Sequence, residues 1–214
     1  MHRSVVSCIV VALGALCFTA NAATFRFDSD PFAGTTALTT PGRQVVAGES
    51  FISFSIPNDV FSLESTVFGV GGSVNFVNAL ASNLPSTGVN VVVLQTFDND
   101  NNTGTPFAAG NAADLIADKI NTPGPGFFIY FNQGLDLPRL VYSTDLSENT
   151  ADLKILARML NLTGQSGRDA VPTFTGANFA VTTTVPEPSS FLTFAAVGLI
   201  GTFFHRLRKV SVRG

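Results

Sequence analysis

The chain has 214 residues, a formal net charge of −3 and no tryptophan, and only 13% of its side chains are charged. Its two cysteines, Cys8 and Cys17, and its two histidines, His2 and His205, all lie outside residues 23–184. That segment therefore excludes a disulfide framework, a catalytic centre built on His or Cys, and the usual zinc, copper or haem sites. It carries fourteen acidic and seven basic side chains, and this balance argues against nucleic acid as a partner.

The first residues have the pattern of a secretory signal peptide. Arg3 precedes an uncharged apolar run at 5–18, and small residues follow at Ala20 and Ala22. Signal peptidase needs small side chains at these two positions, so we expect cleavage after Ala22, with cleavage one residue later as the alternative. The apolar run is too short for a lasting membrane anchor, which needs about 20 apolar residues. Residues 1–22 are therefore predicted to be removed.

Residues 23–184 are predicted to form one exported β-rich domain. Alternating or continuous apolar residues indicate strands at Thr24–Phe27, Phe51–Ile56, Asn90–Phe97, Phe127–Asn132, Leu140–Ser143 and Asn178–Thr184. The strand at Asn90–Phe97 is apolar without interruption, which is typical of a central strand that is buried on both faces.

Two helices are predicted among these strands. The first begins near Asn111 and ends at Ile120, before a proline. The second is capped by Asn149 and has one apolar stripe, formed by Leu153, Leu156, Ala157 and Leu160. The fold class is therefore expected to be α+β, a mainly antiparallel β domain with two helices, and the alternative is a β-sandwich.

A polar loop follows the predicted central strand, and its oxygens suit calcium. Asp98, Asp100 and Asn102 alternate, so one tight loop could direct three oxygens at one ion. The loop resembles the opening of a calcium-binding loop, but Thr103 and Ala109 replace the Gly and Glu that an EF-hand requires. Asp, Asn and Gly are also the usual turn formers, so a plain turn is the alternative.

A second group of side chains could bind a carbohydrate. Tyr130, Asn132, Arg139 and Tyr142 combine aromatic rings with hydrogen-bonding groups on two predicted neighbouring strands. On one exposed face they would suit a sugar, whereas in a core the two tyrosines would be packed rings with hydrogen-bonded hydroxyl groups.

Carboxylates offer the remaining route to catalysis. A glycosidase needs two of them, about 5–10 Å apart. The candidates are Asp136, Asp145, Glu148 and Asp152. Without Trp to stack sugars and without His or Cys, residues 23–184 are expected not to be an enzyme. A secreted carboxylate-dependent polysaccharide hydrolase is the alternative.

The C-terminal residues form a second targeting signal. Pro186, Glu187 and Pro188 keep the chain extended, and an uncharged apolar stretch follows at 189–204. We expect a transmembrane helix of about 24 Å there, at ~1.5 Å per residue. The basic residues after it should stay on the cytoplasmic side and flank the membrane, and they include Arg206, Arg208 and Lys209.

Residues 185–209 resemble the PEP-CTERM sorting signal, which combines a Pro-Glu-Pro triplet, a short apolar span and a basic terminus. The resemblance implies a substrate of exosortase, a membrane enzyme of Gram-negative bacteria that make exopolysaccharide. It further implies transient anchoring in the inner membrane, followed by transfer to the cell surface or the extracellular matrix. We therefore expect a non-catalytic exported protein that is associated with exopolysaccharide or a biofilm matrix, with Ca²⁺ as a candidate cofactor.

Overall fold

A computed structural model describes residues 21–102 and 104–183. Most of the predicted signal peptide lies outside these ranges. So do the sorting motif at Pro186, Glu187 and Pro188, the transmembrane helix predicted at 189–204 and the basic residues that follow it. Within the described ranges, no helix is long and apolar enough to cross a bilayer.

The described residues form ten strands and three helices. The strands are β1 (Thr24–Phe27), β2 (Val45–Val46), β3 (Ser50–Ile52), β4 (Val60–Glu64), β5 (Phe76–Ala79), β6 (Val91–Leu94), β7 (Gly126–Asn132), β8 (Leu137–Ser143), β9 (Leu153–Met159) and β10 (Phe179–Thr182). The helices are α1 (Ser65–Phe68), α2 (Ala109–Ala117) and α3 (Gly164–Ala170).

Seven strands build the large sheet, in the order β2-β9-β8-β7-β6-β5, with β3 also paired to β9. Strands β5, β6 and β7 are parallel to one another, whereas β7, β8 and β9 form an antiparallel meander. All four residues of β6 are fully buried, so the prediction that this strand is buried on both faces is confirmed, although β6 lies next to the edge strand β5 and is shorter than the predicted Asn90–Phe97.

A smaller sheet of three parallel strands, in the order β1-β4-β10, packs on one face of the large sheet. The core between the two sheets is rich in phenylalanine. The rings of Phe54 and Phe61 stack with centroids 4.2 Å apart, and Phe174 stacks on Phe54 at 5.6 Å. Burial of such large apolar rings provides most of the free energy that holds the two sheets together.

Helix α2 covers the opposite face of the large sheet. Its apolar side contributes Ala112 and Ile116, which pack against Leu94 and Tyr130 of the sheet. The helix predicted from Asn111 to Ile120 is therefore present, although it begins earlier. The Asn111 side chain accepts a hydrogen bond from the Ala108 backbone N–H at 2.9 Å and so stabilises the first turn from within.

The α+β class holds, but the expectation of a mainly antiparallel domain is wrong. Among the described residues, six strand pairings are parallel and two are antiparallel. Only β7 and β8 are joined by a tight hairpin. The connection from β6 to β7 spans 95–125 and includes α2, and a crossover of that length lets the next strand run parallel.

The second predicted helix is wrong, because its residues form strand β9. A register irregularity in β8 places Ala157 opposite Leu140 and Ile155 opposite Val141, which leaves Leu156 as an extra, bulged residue. Beyond the bulge the side chains change faces, so strict alternation is lost and the apolar spacing resembles that of a helix. Leu160, the last residue of the predicted stripe, is half exposed.

Candidate functional site

Three strands of the large sheet end at one edge. Strand β9 is antiparallel to β8, and β8 is antiparallel to β7, so β6, β7 and β9 all point in the same direction. The segments that follow these strands, which are the 95–106 loop, the 133–136 hairpin and α3, therefore meet at the same edge. In sheets with parallel strands, ligands bind preferentially outside the carboxyl ends of the strands.

A cavity of about 240 Å³ opens at this edge. Its lining residues come from all three segments and from the end of β7, and they are Pro106, Phe131, Gln133, Asp136 and Arg168. We call this cavity, together with the adjoining Phe97, the carboxyl-edge cleft.

Arg168 of α3 occupies the centre of the cleft. Its guanidinium carbon lies 5.4 Å from the Phe97 ring centroid and 5.3 Å from that of Phe131, which are cation–π distances. The two rings meet edge to face, with centroids 6.4 Å apart. The Nε of Arg168 is buried and has no hydrogen-bond partner among the described residues. This guanidinium is thus held by two rings and still has a free donor.

A carboxylate and an amide complete the cleft. The Asp136 Oδ1 lies 3.8 Å from Arg168 Nη2, and the Asp136 side chain is 56% exposed. Gln133 is held in place, since its Oε1 accepts a hydrogen bond from the Phe107 N–H at 2.7 Å. The cleft therefore combines aromatic faces, a cation, an accessible carboxylate and a fixed amide, which are the groups that sugar hydroxyls and sugar C–H faces contact.

Gly167 allows α3 to approach the sheet closely. A Cβ at this position would lie 2.3 Å from the Leu162 carbonyl oxygen and 3.3 Å from the Phe131 ring. No larger residue fits without displacing the helix. The hairpin tip is joined to the start of α3, because the Gly164 N–H donates to the Asp136 carbonyl at 3.1 Å. These contacts fix Arg168 and Asp136 relative to each other.

The predicted calcium loop lies beside the cleft, and its oxygens already accept hydrogen bonds from their own loop. Asp98 accepts from the N–H groups of Asp100 and Asn101, at 3.1 and 2.9 Å, and these bonds lower the pKa of its carboxyl group. Asp100 accepts from the Asn102 N–H at 2.9 Å, and Asn102 accepts from that of Gly104, also at 2.9 Å.

These contacts are successive turns of the kind that Asp and Asn form without a metal. In the described ranges, no cluster of three His, Cys, Asp or Glu side chains is arranged to hold a metal ion. Calcium binding at this loop stays a prediction.

The four predicted carbohydrate-binding residues do not share a face. The Tyr130 hydroxyl accepts a hydrogen bond from Asn132 Nδ2 at 3.0 Å and one from Arg139 Nη1 at 3.5 Å, so these three meet. Tyr142 packs in the other core, where its hydroxyl donates to the Phe68 carbonyl at 2.8 Å. Burial, reinforced by the negative charge of Asp30, raises the pKa of Tyr142 to about 12.

None of these four side chains is openly exposed. Tyr130 is fully buried, Asn132 and Tyr142 are nearly so, and the Arg139 side chain is 12% exposed. They form polar contacts within and at the border of the core.

Arg139 instead belongs to a buried ion-pair cluster that sequence patterns do not indicate. Glu49, whose side chain is 4% exposed, accepts from Arg139 Nη2 at 2.5 Å and from Arg158 Nε with the same oxygen. Burial by itself would raise the pKa of Glu49, but hydrogen bonds from its own N–H, Arg158 and Arg139 outweigh it and lower the pKa to about 2. The cluster joins the segment before β3 to strands β8 and β9.

The candidate catalytic carboxylates are dispersed. Asp152 accepts from the N–H groups of Leu38 and Gln44, at 2.6 and 2.7 Å, and Asp145 accepts from the Ser147 N–H at 2.8 Å. Both therefore stabilise turns, and Glu148 is on the surface. Of the four candidates, only Asp136 lines the cleft.

The sequence predicted Asp136 as a candidate site residue, but it did not indicate that Arg168 lies beside it or that Phe97 lies against Arg168. They are 71 positions apart along the chain. Both residues follow strands in the sequence, and this position could have indicated a site. It does so only once the strands are known to run in the same direction, because only then do the segments that follow them meet.

Comparison with known proteins identifies one segment. A profile described as the PEP-CTERM protein-sorting motif matches residues 184–209, in agreement with the resemblance noted from Pro186, Glu187 and Pro188. This motif implies an exported protein that exosortase processes and that is secreted via the membrane. No curated protein and no solved structure matches the chain. The domain before the motif has no family assignment.

Proposed function

We propose that residues 23–184 form a non-catalytic domain of the cell surface or extracellular matrix that binds exopolysaccharide in the carboxyl-edge cleft. Arg168 and Asp136 line one open cavity, and the Phe97 ring lies beside it against Arg168; this arrangement carries the proposal. The sorting motif supports the location, because a protein exported by this route meets polysaccharide outside the cell.

The chemistry of the cleft fits a sugar. The Phe97 ring is 37% exposed and offers an apolar surface to the C–H groups of a sugar ring. Arg168 donates hydrogen bonds to hydroxyl or carboxylate oxygens, and the exposed carboxylate of Asp136 accepts from hydroxyl groups. Arg168 and Asp136 line the cavity and Phe97 adjoins it, so a sugar that extends from the cavity over the Phe97 ring would contact all three.

The size of the cavity favours part of a chain over an enclosed small molecule. Its volume of about 240 Å³ is below the range of ~300–1,000 Å³ that is typical of drug-sized ligands. It can take about one sugar ring, while the rest of a polymer would lie along the sheet edge.

A binding role is better supported than hydrolysis. Glycoside hydrolysis uses a pair of carboxyl groups that flank the bond. Of the described residues that line the cavity, only Asp136 is a carboxylate, and Arg168 lies beside it.

The test is co-sedimentation of the exported protein with the exopolysaccharide of the producing bacterium. Phe97→Ala should lower the affinity by about tenfold, since truncating a stacking ring at a binding site removes at least ~1 kcal/mol. The matched control is Phe51→Ala. Phe51 is 64% exposed and also lies against an arginine, Arg158, but it belongs to β3, which is three strands across the sheet from β7, and it does not line the cavity.

Equal losses in the two variants, or none in either, would rule out the cleft as the binding site. Reducing ends that accumulate during incubation would favour the hydrolase alternative. A parallel incubation with a calcium chelator tests the Asp98 loop. Binding that disappears with chelator, and that Asp98→Ala also abolishes, would establish calcium dependence.

A further inference from the structure

The first residue after the predicted signal peptide contacts a buried carboxylate. The backbone nitrogen of Ala23 donates to Asp59 Oδ1 at 2.8 Å, and Asp59 is 5% exposed. The second carboxylate oxygen accepts from the Ser55 N–H at 2.8 Å. Next to this contact, the Val60 N–H donates to the Ala23 carbonyl at 2.9 Å and opens the pairing of β1 with β4.

Asp59 has no cationic partner in the described part of the chain. No Lys or Arg nitrogen of that part lies within 4.0 Å of its carboxylate, whereas buried Glu49 binds two guanidinium groups. A buried carboxylate without a counter-charge is costly, because backbone N–H groups offset only part of its lost hydration. The atom closest to supplying a positive charge is the nitrogen of Ala23.

We propose that signal peptidase cuts the Ala22–Ala23 bond and that Asp59 binds the new α-amino group as an ion pair. Hydrolysis breaks the amide bond between the Ala22 carbonyl carbon and the Ala23 nitrogen. Water supplies the hydroxyl group that leaves Ala22 as a carboxylate, and the nitrogen takes up protons to become an ammonium group. In the precursor only the acceptor of this hydrogen bond is charged, whereas in the mature protein both partners are charged and form an ion pair.

The position of Asp59 also decides between the two cleavage sites that the N-terminal pattern leaves open. Cleavage one residue later would remove Ala23, and the new terminus would begin at Thr24, which is already the first residue paired in β1. Consecutive Cα atoms are about 3.8 Å apart, so that ammonium group would lie beyond hydrogen-bond reach of Asp59. Only a terminus at Ala23 forms the pair.

The ion pair would stabilise the mature fold at an edge strand of the small sheet. Strand β1 is four residues long and pairs only with β4, at the edge of the small sheet. In the mature protein both partners of this hydrogen bond are charged, and their Coulomb attraction strengthens it. We expect the ion pair to lower the unfolding equilibrium constant by about tenfold, or ~1.4 kcal/mol. Processing would thus couple export to completion of the fold.

The first experiment is mass spectrometry of the exported protein, with Ala23 as the expected first residue. The second is acetylation of its α-amino group near neutral pH. The reaction is carried out on the denatured protein, in which Asp59 does not hold the amine, because a free α-amine is less basic than a lysine side chain and reacts first. Acetylation should raise the unfolding constant in denaturant by about tenfold.

Two matched proteins make the measurement specific. In a variant with one extra residue before Ala23, the ammonium group is displaced from Asp59 and acetylation should change nothing. In Asp59→Asn the acetylation effect should also vanish, and the extended variant decides the matter if Asp59→Asn does not fold. A mature terminus at any other residue would overturn the proposal. So would acetylation that leaves the unfolding constant of the Ala23-terminated protein unchanged.

Discussion

The part of the chain that the structure describes includes two arginine–phenylalanine–carboxylate groups that have the same composition but differ in how exposed the carboxylate is. Near β3 and β9, Arg158 lies over Phe51 and Glu49 is buried between Arg158 and Arg139. In the carboxyl-edge cleft, Arg168 lies over Phe97, but Asp136 is largely exposed and 3.8 Å away. The Glu49 carboxylate therefore makes contacts within the fold, whereas the Asp136 carboxylate is accessible to a ligand.

The difference teaches that composition alone does not distinguish a structural cluster from a site. An unpartnered arginine nitrogen does not distinguish them either, because Nε lacks a partner in both Arg139 and Arg168. What separates them is the carboxylate. Glu49 uses one oxygen for two guanidinium groups and the other for the Gly48 N–H at 3.0 Å, and its side chain is only 4% exposed, so a ligand cannot reach it.

The largest expected effect is the loss of stability in Glu49→Gln. Removing the charge leaves two partly buried guanidinium groups without their counter-ion, which should lower the free energy of unfolding by about 2–3 kcal/mol. Urea denaturation followed by circular dichroism measures it. Polysaccharide binding by the folded protein should be unchanged. A stability loss below about 0.5 kcal/mol would mean that the Glu49 cluster contributes no more to stability than an exposed ion pair.

The second prediction, of intermediate size, concerns the contribution of Glu49 to stability at low pH. The folded pKa of Glu49 is lowered to about 2 from an ordinary value of 4.5, so the unfolded state binds the proton more readily. The stability that Glu49 contributes is therefore complete above about pH 4.5 and is lost as the pH falls towards 2. Denaturation midpoints measured from pH 6 down to about pH 3 should fall less steeply in Glu49→Gln than in the wild type. Parallel profiles would contradict this assignment.

The smallest expected effect on stability comes from Asp136→Asn in the cleft. This side chain is exposed and its ion pair is long, so the free energy of unfolding should change by no more than about 0.5 kcal/mol. Affinity for exopolysaccharide should nevertheless fall severalfold, because an acceptor for sugar hydroxyls becomes a weaker one.

Asp28→Asn is the matched control for Asp136→Asn. Asp28 is 49% exposed and also pairs with an arginine, Arg26, at 2.7 Å, but it does not line the cleft. Equal binding by the two variants would remove Asp136 from the proposed site. Lower affinity in Asp136→Asn alone, at unchanged stability, would separate a binding carboxylate from a structural one.

The sequence by itself determined the features that depend on neighbouring residues. The sorting motif at Pro186, Glu187 and Pro188 is a contiguous signal, and the family profile confirms it. Strand β1, the fully buried β6, the β7–β8 hairpin and helix α2 were also predictable, because their apolar periodicity and turn residues are local.

Only the tertiary structure decided the direction of the strands, the identity of β9 and the composition of the cleft. Parallel pairing depends on where a crossover returns the chain, and the bulge at Leu156 arises from pairing with β8. Phe97 and Arg168 meet because β6 and β9 end at the same edge, although 71 residues separate them. Local patterns record which residues are apolar or polar, whereas the contacts that make a site come from packing between distant segments.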